Sequence, residues 1–118
     1  MIAQPRMTIP LSRVREYRKS ASLAQRELAI LVGLATQHAC SELESGAKRP
    51  GLDVAVACAL ALGEPLENLF PGLAAHIEEA MLQRAKALLD SLEADGRRRQ
   101  SAAHVAELVR RLAGHLAA

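Results

Sequence analysis

Residues 22–50 read SLAQRELAILVGLATQHACSELESGAKRP and contain two short helical patterns separated by a glycine. The first pattern runs from about Gln25 to Val32 and repeats apolar residues at the period of an α-helix. The residues predicted to face inward are Leu28, Leu31 and Val32. Gly33 is expected to end this helix, because glycine readily adopts the left-handed backbone conformation that follows many helices.

A second short helix is predicted to begin at Thr36, whose hydroxyl group suits the N-cap position. Cys40 and Leu43 lie three residues apart and are predicted to face the core. The residues left on the outer side are Gln37, His38, Ala39, Ser41 and Glu42. Two short helices joined by a tight turn form the architecture that places the second helix in the major groove of DNA. The sequence therefore indicates a DNA-binding function.

Further helical patterns on both sides of this pair complete a domain. The expected features are a flexible arm at residues 1–10, a first helix capped by Ser12, a loop at 45–50, a fourth helix at 52–62, a fifth at 65–70 and a break at Pro71–Gly72. Residues 11–72 are therefore predicted to form a helix-turn-helix DNA-binding domain.

Residues 73–118 are predicted to form an extension of two amphipathic helices, one over 73–93 and one from about Ser101. The predicted apolar stripes are Ile77, Met81, Ala85, Leu88 and Leu92 in the first helix and Val105, Leu108, Val109, Leu112 and Leu116 in the second. Such stripes are too apolar to stay exposed in a soluble monomer, so this extension is expected to mediate homodimerisation. An intramolecular hairpin that buries both stripes against each other is the alternative.

Composition and charge agree with this picture. Tyr17 and Phe70 are the only aromatic residues, so Ala, Leu and Val must build the core, which favours packed helices over a sheet. Residues 1–50 hold eight basic and four acidic side chains, a local net charge of +4, although the whole chain carries only +2. A locally basic surface is what DNA phosphates require, whereas charge alone would also fit ordinary solvated helix faces.

The ordered set of residues over positions 11–70 resembles the lambda-repressor-like helix-turn-helix family of bacterial and phage transcription regulators. The positions that carry the resemblance are Arg18, Gln25, Leu28–Ala29, Gly33, Cys40, Glu44, Gly46, Pro50, Leu62–Gly63 and Leu69–Phe70. No single position is specific, but their order and spacing are. The resemblance implies an all-α fold, in which a five-helix helix-turn-helix domain is followed by a C-terminal helical extension.

Three positions depart from the family pattern. Ala24 stands where the family has a serine or threonine cap, a loss of about 1 kcal/mol, and Ser22 is an alternative cap. The segment from Gly33 to Glu44 is one residue longer than usual, and we place the extra residue in the Leu34–Ala35 turn. Glu42 stands where the family often has a cation or an amide.

The expected DNA contacts fall into two groups. The side chains expected to read base edges are Gln37, His38, Ala39, Ser41 and Glu42. Glutamine pairs with adenine, histidine donates to guanine, glutamate accepts from cytosine, and an alanine methyl group meets thymine. The expected phosphate contacts are Gln25, Thr36, Lys48 and Arg49. The resemblance also implies that Arg18 and Glu44 form a structural ion pair between the first helix and the end of the third.

The expected function is a transcriptional regulator that occupies an operator in double-stranded DNA as a homodimer. One alternative is an antitoxin of the same fold that also binds a toxin protein through residues 73–118. Another is an interaction adaptor without DNA binding. An enzyme is disfavoured, because the sequence has no nucleophile–base arrangement, no phosphate-binding glycine loop and no paired catalytic carboxylates.

No cofactor or metal is expected, because the four histidines lack the spacing of metal ligands. Cys40 and Cys58 occupy apolar positions and are expected to be reduced core residues. No segment is long enough to span a membrane, and residues 1–10 lack the apolar core of a signal peptide. The expected location is the cytoplasm.

Overall fold

The computed structural model describes residues 9–117, so residues 1–8 of the predicted arm lie outside the described part of the chain. The helices are α1 (Val14–Ser20), α2 (Gln25–Val32), α3 (Gln37–Ser45), α4 (Leu52–Leu62), α5 (Leu66–Leu69), α6 (Pro71–Ala94) and α7 (Arg99–Ala117). No strand occurs in the described residues. The predicted all-α fold class is confirmed for the described residues: five helices, α1 to α5, are followed by the two longer helices α6 and α7.

The described residues form two compact units, one up to Ala74 and one from Ala75, and α6 runs across the division. The core of the first unit is small and aliphatic, as the composition predicts. Its buried side chains come from α1 to α5 and the residue after α5, and they are Val14, Leu28, Ala29, Val32, Cys40, Leu43, Cys58, Leu69 and Phe70. Cys40 and Leu43, the inward side chains of α3, pack in this core and so fix the position of α3 against it.

Two glycines have conformational roles in the first unit. Gly33 ends α2 with φ +79°, the left-handed conformation that its position predicts. Gly72 lies in the first turn of α6 and its N–H donates to Pro10 O at 2.9 Å. A Cβ atom at position 72 would lie 2.7 Å from that oxygen, so any larger residue would push the two segments apart.

Three predictions about the first unit are wrong. Leu31 is 57% exposed, because the buried face of α2 consists of Leu28, Ala29 and Val32 instead. Ser12 does not occupy the N-cap position of α1, which is Arg13; the Ser12 hydroxyl accepts instead from the Val14 N–H at 3.3 Å. The chain does not break at Pro71 and Gly72 either. Pro71 is the first residue of α6, a position where its missing N–H costs nothing.

One face of α4 is exposed although the helix is almost wholly apolar. Asp53 is its only charged residue. Leu52, Val56 and Leu60 follow one another at successive turns and are 76%, 45% and 80% exposed.

The second unit is an antiparallel hairpin of α6 and α7. An intramolecular hairpin is the alternative expected from the sequence for this extension. His115 Nδ1 near the end of α7 lies 2.7 Å from Glu78 Oε2 near the start of α6. The buried side chains are Leu82, Ala85 and Val105. The predicted α6 stripe is wrong in part, because the buried face is centred on Leu82 and Ala85 while Ile77, Met81 and Leu88 are 40–49% exposed. We call these three residues the α6 apolar row.

Candidate nucleic-acid interface

The start of α3 is built by its cap. The Thr36 hydroxyl accepts from the Ala39 N–H at 3.0 Å, as predicted for an N-cap, and this bond satisfies one of the otherwise unpaired amides of the first turn. On the outer side of the helix, Gln37, His38 and Ser41 are exposed, whereas Ala39 and Glu42 are half-buried. α3 therefore presents a narrow polar surface.

The turn between α2 and α3 is closed by an apolar contact. The Leu34 N–H donates to Ala29 O at 2.8 Å, across the left-handed Gly33. The Leu34 side chain packs against the core of the first unit. Ala35 is exposed and Thr36 already belongs to the cap of α3. The four-residue turn is thus anchored at its second position, which fixes where α3 begins.

A buried ion pair joins α1 to the end of α3. Arg18 Nε donates to Glu44 Oε2 at 2.5 Å, and Arg18 Nη2 donates to Glu44 Oε1 at 3.3 Å. The third guanidinium nitrogen, Nη1, donates to Leu23 O at 2.7 Å, just before α2. Both residues are 8% exposed. One guanidinium group thereby holds three segments of the domain in fixed positions.

The charge state of Glu44 follows from this environment. Burial raises the pKa of the Glu44 carboxyl, but hydrogen bonds from Arg18 and Gln25 outweigh that effect, so the pKa lies below its ordinary value of 4.5. The same hydrogen bond raises the pKa of the Arg18 guanidinium. Both groups are therefore charged at neutral pH.

Gln25 extends the ion pair to the exposed surface of α3. Its amide nitrogen donates to Glu44 Oε1 at 2.9 Å, and its amide oxygen accepts from Gln37 Nε2 at 3.3 Å. The side chain that was expected to contact phosphate is therefore engaged at both ends within the protein. The spacing of Gln25, Gln37 and Glu44 in the sequence does not predict this link, because it does not show that their side chains meet.

The start of α2 uses a different cap from the one expected. Ala24 occupies the N-cap position and Ser22 lies outside the helix, so the suggested replacement by Ser22 is wrong. Glu27 Oε1 instead accepts from the Ala24 N–H at 2.7 Å. This is the glutamate half of a capping box, and it needs no side chain on Ala24.

The loop after α3 carries two exposed cations, Lys48 and Arg49. Lys48 Nζ lies 3.8 Å from Glu42 Oε1, and His38 Nε2 lies 3.9 Å from the same oxygen. Glu42 thus lies between two basic groups on α3 and its following loop. Its carboxylate, expected to accept from cytosine, therefore faces the Lys48 ammonium group within the free protein.

A capped, outward-facing helix fixed by a turn and a buried ion pair defines a helix-turn-helix DNA-binding domain. Residues 14–69 match a family model described as helix-turn-helix, of the lambda-repressor-like type. The resemblance stated from the sequence is confirmed. The family is one of DNA-binding regulators, not typically of enzymes.

Comparisons with curated proteins and with solved structures found no match. Within residues 9–117, no helix combines the length and apolar character that crossing a bilayer requires.

Proposed function

We propose that the chain is a sequence-specific, cytoplasmic DNA-binding repressor that acts by occupying an operator. The observation that supports this most directly is the chain of hydrogen bonds from Arg18 through Glu44 and Gln25 to Gln37. It holds the first side chain of α3 in a defined orientation without covering it. Orientation before binding reduces the entropy that ordering the side chain on DNA would cost.

Gln37 and His38 are the strongest candidates for reading bases, since both are exposed on the first turn of α3. The half-buried Ala39 and Glu42 complete the proposed base-reading surface, although the Glu42 carboxylate must first leave the Lys48 ammonium group. The Gln37 amide nitrogen carries two N–H groups, so one can donate to adenine N7 while the other keeps its bond to Gln25, and Gln25 and Gln37 are expected to act as one unit.

Lys48 and Arg49 are the proposed phosphate contacts after α3. Both are exposed, and the Lys48 side chain retains 73% of its exposure despite the neighbouring Glu42. Thr36 and Gln25 add contacts at the starts of α3 and α2. Because the Gln25 side chain is engaged within the protein, backbone N–H groups at the start of α2 would meet the phosphate there.

Selection of bound fragments from a random DNA pool tests the function. The wild-type chain is expected to enrich one near-palindromic sequence. Gln37→Ala and His38→Ala should each weaken binding to that sequence by about 1–3 kcal/mol and leave binding to random DNA unchanged. Lys48→Ala is the matched control, since it should weaken both equally. Equal losses on both DNAs for Gln37→Ala would exclude base reading by that residue.

We also propose that the protein is a homodimer held by its second unit. The α6 apolar row, Ile77, Met81 and Leu88, is exposed on one helix of the hairpin, and Leu116 of α7 is 38% exposed as well. Two copies of this surface would cover each other's apolar side chains. Two linked DNA-binding domains would then bind two half-sites, which is the usual route to useful affinity.

Light scattering of charge variants tests the dimer. Met81→Asp should shift the full chain to a monomer at micromolar concentration. Leu60→Asp is the matched control, because Leu60 is an equally apolar and more exposed residue on α4. A monomeric wild type would disprove the proposed dimer, and a dimer lost only in Leu60→Asp would assign the interface to α4 instead.

A further inference from the structure

A cleft on the first unit lies beside α3, and neither Lys48 nor Arg49 lines it. It is lined by residues of α1, α2 and α3, namely Arg15, Gln25, Ser41, Glu44 and Ser45. Arg15 is exposed one turn before Arg18, and Ser41 is exposed one turn after Gln37. The cleft therefore continues the side of α3 on which Gln37 meets Gln25.

The charge of this cleft is positive. The Glu44 carboxylate at its base already accepts hydrogen bonds from Arg18 and Gln25. Among residues 9–117, the ion pairs of α1 join Arg13 to Glu16 and Arg18 to Glu44, and Arg15 takes part in neither. With the charge of Glu44 offset by Arg18, the charge left over in the cleft is that of Arg15.

The cleft also offers a hydroxyl donor. The Ser45 hydroxyl donates to Glu42 O at 3.2 Å and accepts from the Ala47 N–H at 3.3 Å, so it is committed to the end of α3. Ser41 is exposed and lines the same cleft. A guanidinium group and a hydroxyl group beside a recognition helix are the donors that commonly hold DNA phosphates.

We propose that this cleft binds one phosphate of the DNA backbone, with the Arg15 guanidinium and the Ser41 hydroxyl as donors. The proposal rests on the proposed DNA-binding function and deepens it in two ways. It adds Arg15 to the expected phosphate contacts, and it assigns Ser41, expected from the sequence to read bases, to phosphate binding. A contact here and another at Lys48 and Arg49 would bind phosphates of the DNA backbone at two places around α3. Two such contacts would fix the angle of α3 in the major groove.

Salt dependence of DNA binding provides the first test. Arg15→Ala should weaken binding to the selected operator and to random DNA by the same factor, and reduce the slope of log affinity against log salt by about one. Arg13→Ala is the matched control, because Arg13 lies on the same helix but is paired with Glu16 and lies over the Tyr17 ring. Thermal unfolding of both variants should match that of the wild type, which separates this role from a structural one.

A second test locates the phosphate. Single phosphates of the operator are replaced in turn by neutral methylphosphonates. At one position the replacement should weaken the wild type but leave Arg15→Ala no weaker than before, as in a double-mutant cycle. Ser41→Ala should show the same partial coupling at that position and an unchanged base preference.

An unchanged salt slope for Arg15→Ala, the absence of any coupled phosphate, or an altered base preference in Ser41→Ala would each overturn the assignment. A wild type that selects no sequence would overturn the proposed operator function instead. The salt slope on random DNA would still decide the role of Arg15 in that case.

Discussion

The two units of the chain stabilise their helices in different ways. The first unit buries nine apolar side chains in one cluster that draws on all five of its helices and their boundaries. The hairpin buries three, Leu82, Ala85 and Val105, and leaves the α6 apolar row exposed. A unit whose helices surround a core has its arrangement determined by its own residues, whereas a two-helix hairpin has only one internal face to bury.

Charged residues show the same contrast. Arg18 and Glu44 are buried and bonded to three segments of the first unit. In the hairpin, His115 pairs with Glu78 and Arg110 pairs with Glu107, and the His115, Arg110 and Glu107 side chains are largely exposed. Exposed pairs contribute little to stability, whereas loss of one partner of a buried pair is costly. Substitutions of charged residues should therefore affect the two units very differently.

Arg18→Ala is expected to give the largest effect. It removes a buried cation and leaves the Glu44 carboxylate without its main partner, so the free energy of unfolding of the first unit should fall by about 3–5 kcal/mol. Urea titration followed by circular dichroism measures the change. Arg110→Ala, in an exposed pair of the hairpin, is the control and should change stability by well under 1 kcal/mol.

The double substitution Arg18→Met with Glu44→Leu should recover much of the stability lost in Arg18→Ala, because it removes both charges together. DNA binding should not recover with it, since Gln25 would lose the carboxylate that orients it. If the single variant Arg18→Ala is as stable as the wild type, burial of the Glu44 carboxylate without its partner carries no free-energy cost, which would contradict the prediction.

Acid should destabilise the first unit through Glu44. The carboxyl pKa is below 4.5 in the folded state, so near that pH the unfolded chain binds more protons than the folded one. The stabilisation is present above about pH 4.5 and is lost as the pH falls through the lower folded pKa. Glu44→Gln should flatten this part of the pH dependence, as measured by thermal unfolding between pH 6 and pH 3. A wild-type curve with the same slope as that of Glu44→Gln would contradict the assignment.

Substitutions at the helix caps of α2 and α3 are expected to change the free energy of unfolding least, and in opposite directions. Thr36→Ala should destabilise the first unit by about 1 kcal/mol, because the Ala39 N–H loses its acceptor. Ala24→Ser should stabilise it by several tenths of a kcal/mol, because the N-cap of α2 gains an acceptor beside the existing Glu27 bond. Differential scanning calorimetry compares both with the wild type. A loss of stability in Ala24→Ser would mean that its hydroxyl cannot reach the start of α2.

The sequence predicted the bounds of α2 and α4 and the cap of α3, because local chemistry determines them. Gly33 and Gly63 end α2 and α4 because glycine readily adopts the left-handed conformation after a helix, and Thr36 caps α3 with its own hydroxyl group. The inward faces were harder to predict. Ile30 and Leu31 in α2, and Ile77 and Met81 in α6, supply more apolar residues than one face can bury. The choice among them depends on the crossing of helices, which periodicity does not contain.

The candidate site follows the same rule: the helical period predicts features set by one helix, and it does not predict contacts between helices. The exposed side chains of α3 follow from its helical period, and the pairing of Arg18 with Glu44 followed from the resemblance. The links from Glu44 to Gln25 and from Gln25 to Gln37 depend on side chains from two helices meeting at about 3 Å. The proposed role of Arg15 likewise depends on the cleft, since the only signal of Arg15 in the sequence is its spacing of one turn from Arg18.

The buried cysteines provide a chemical measure of how often the first unit opens. Burial raises the pKa of the Cys40 and Cys58 thiols to about 11, so both are protonated and shielded at neutral pH. A thiol reagent reacts with thiolate and needs access to it, so modification must wait for an opening of the core. Cys40 lies on α3 and Cys58 on α4. The two alkylation rates therefore report whether these helices separate from the core together or one at a time, without any added label.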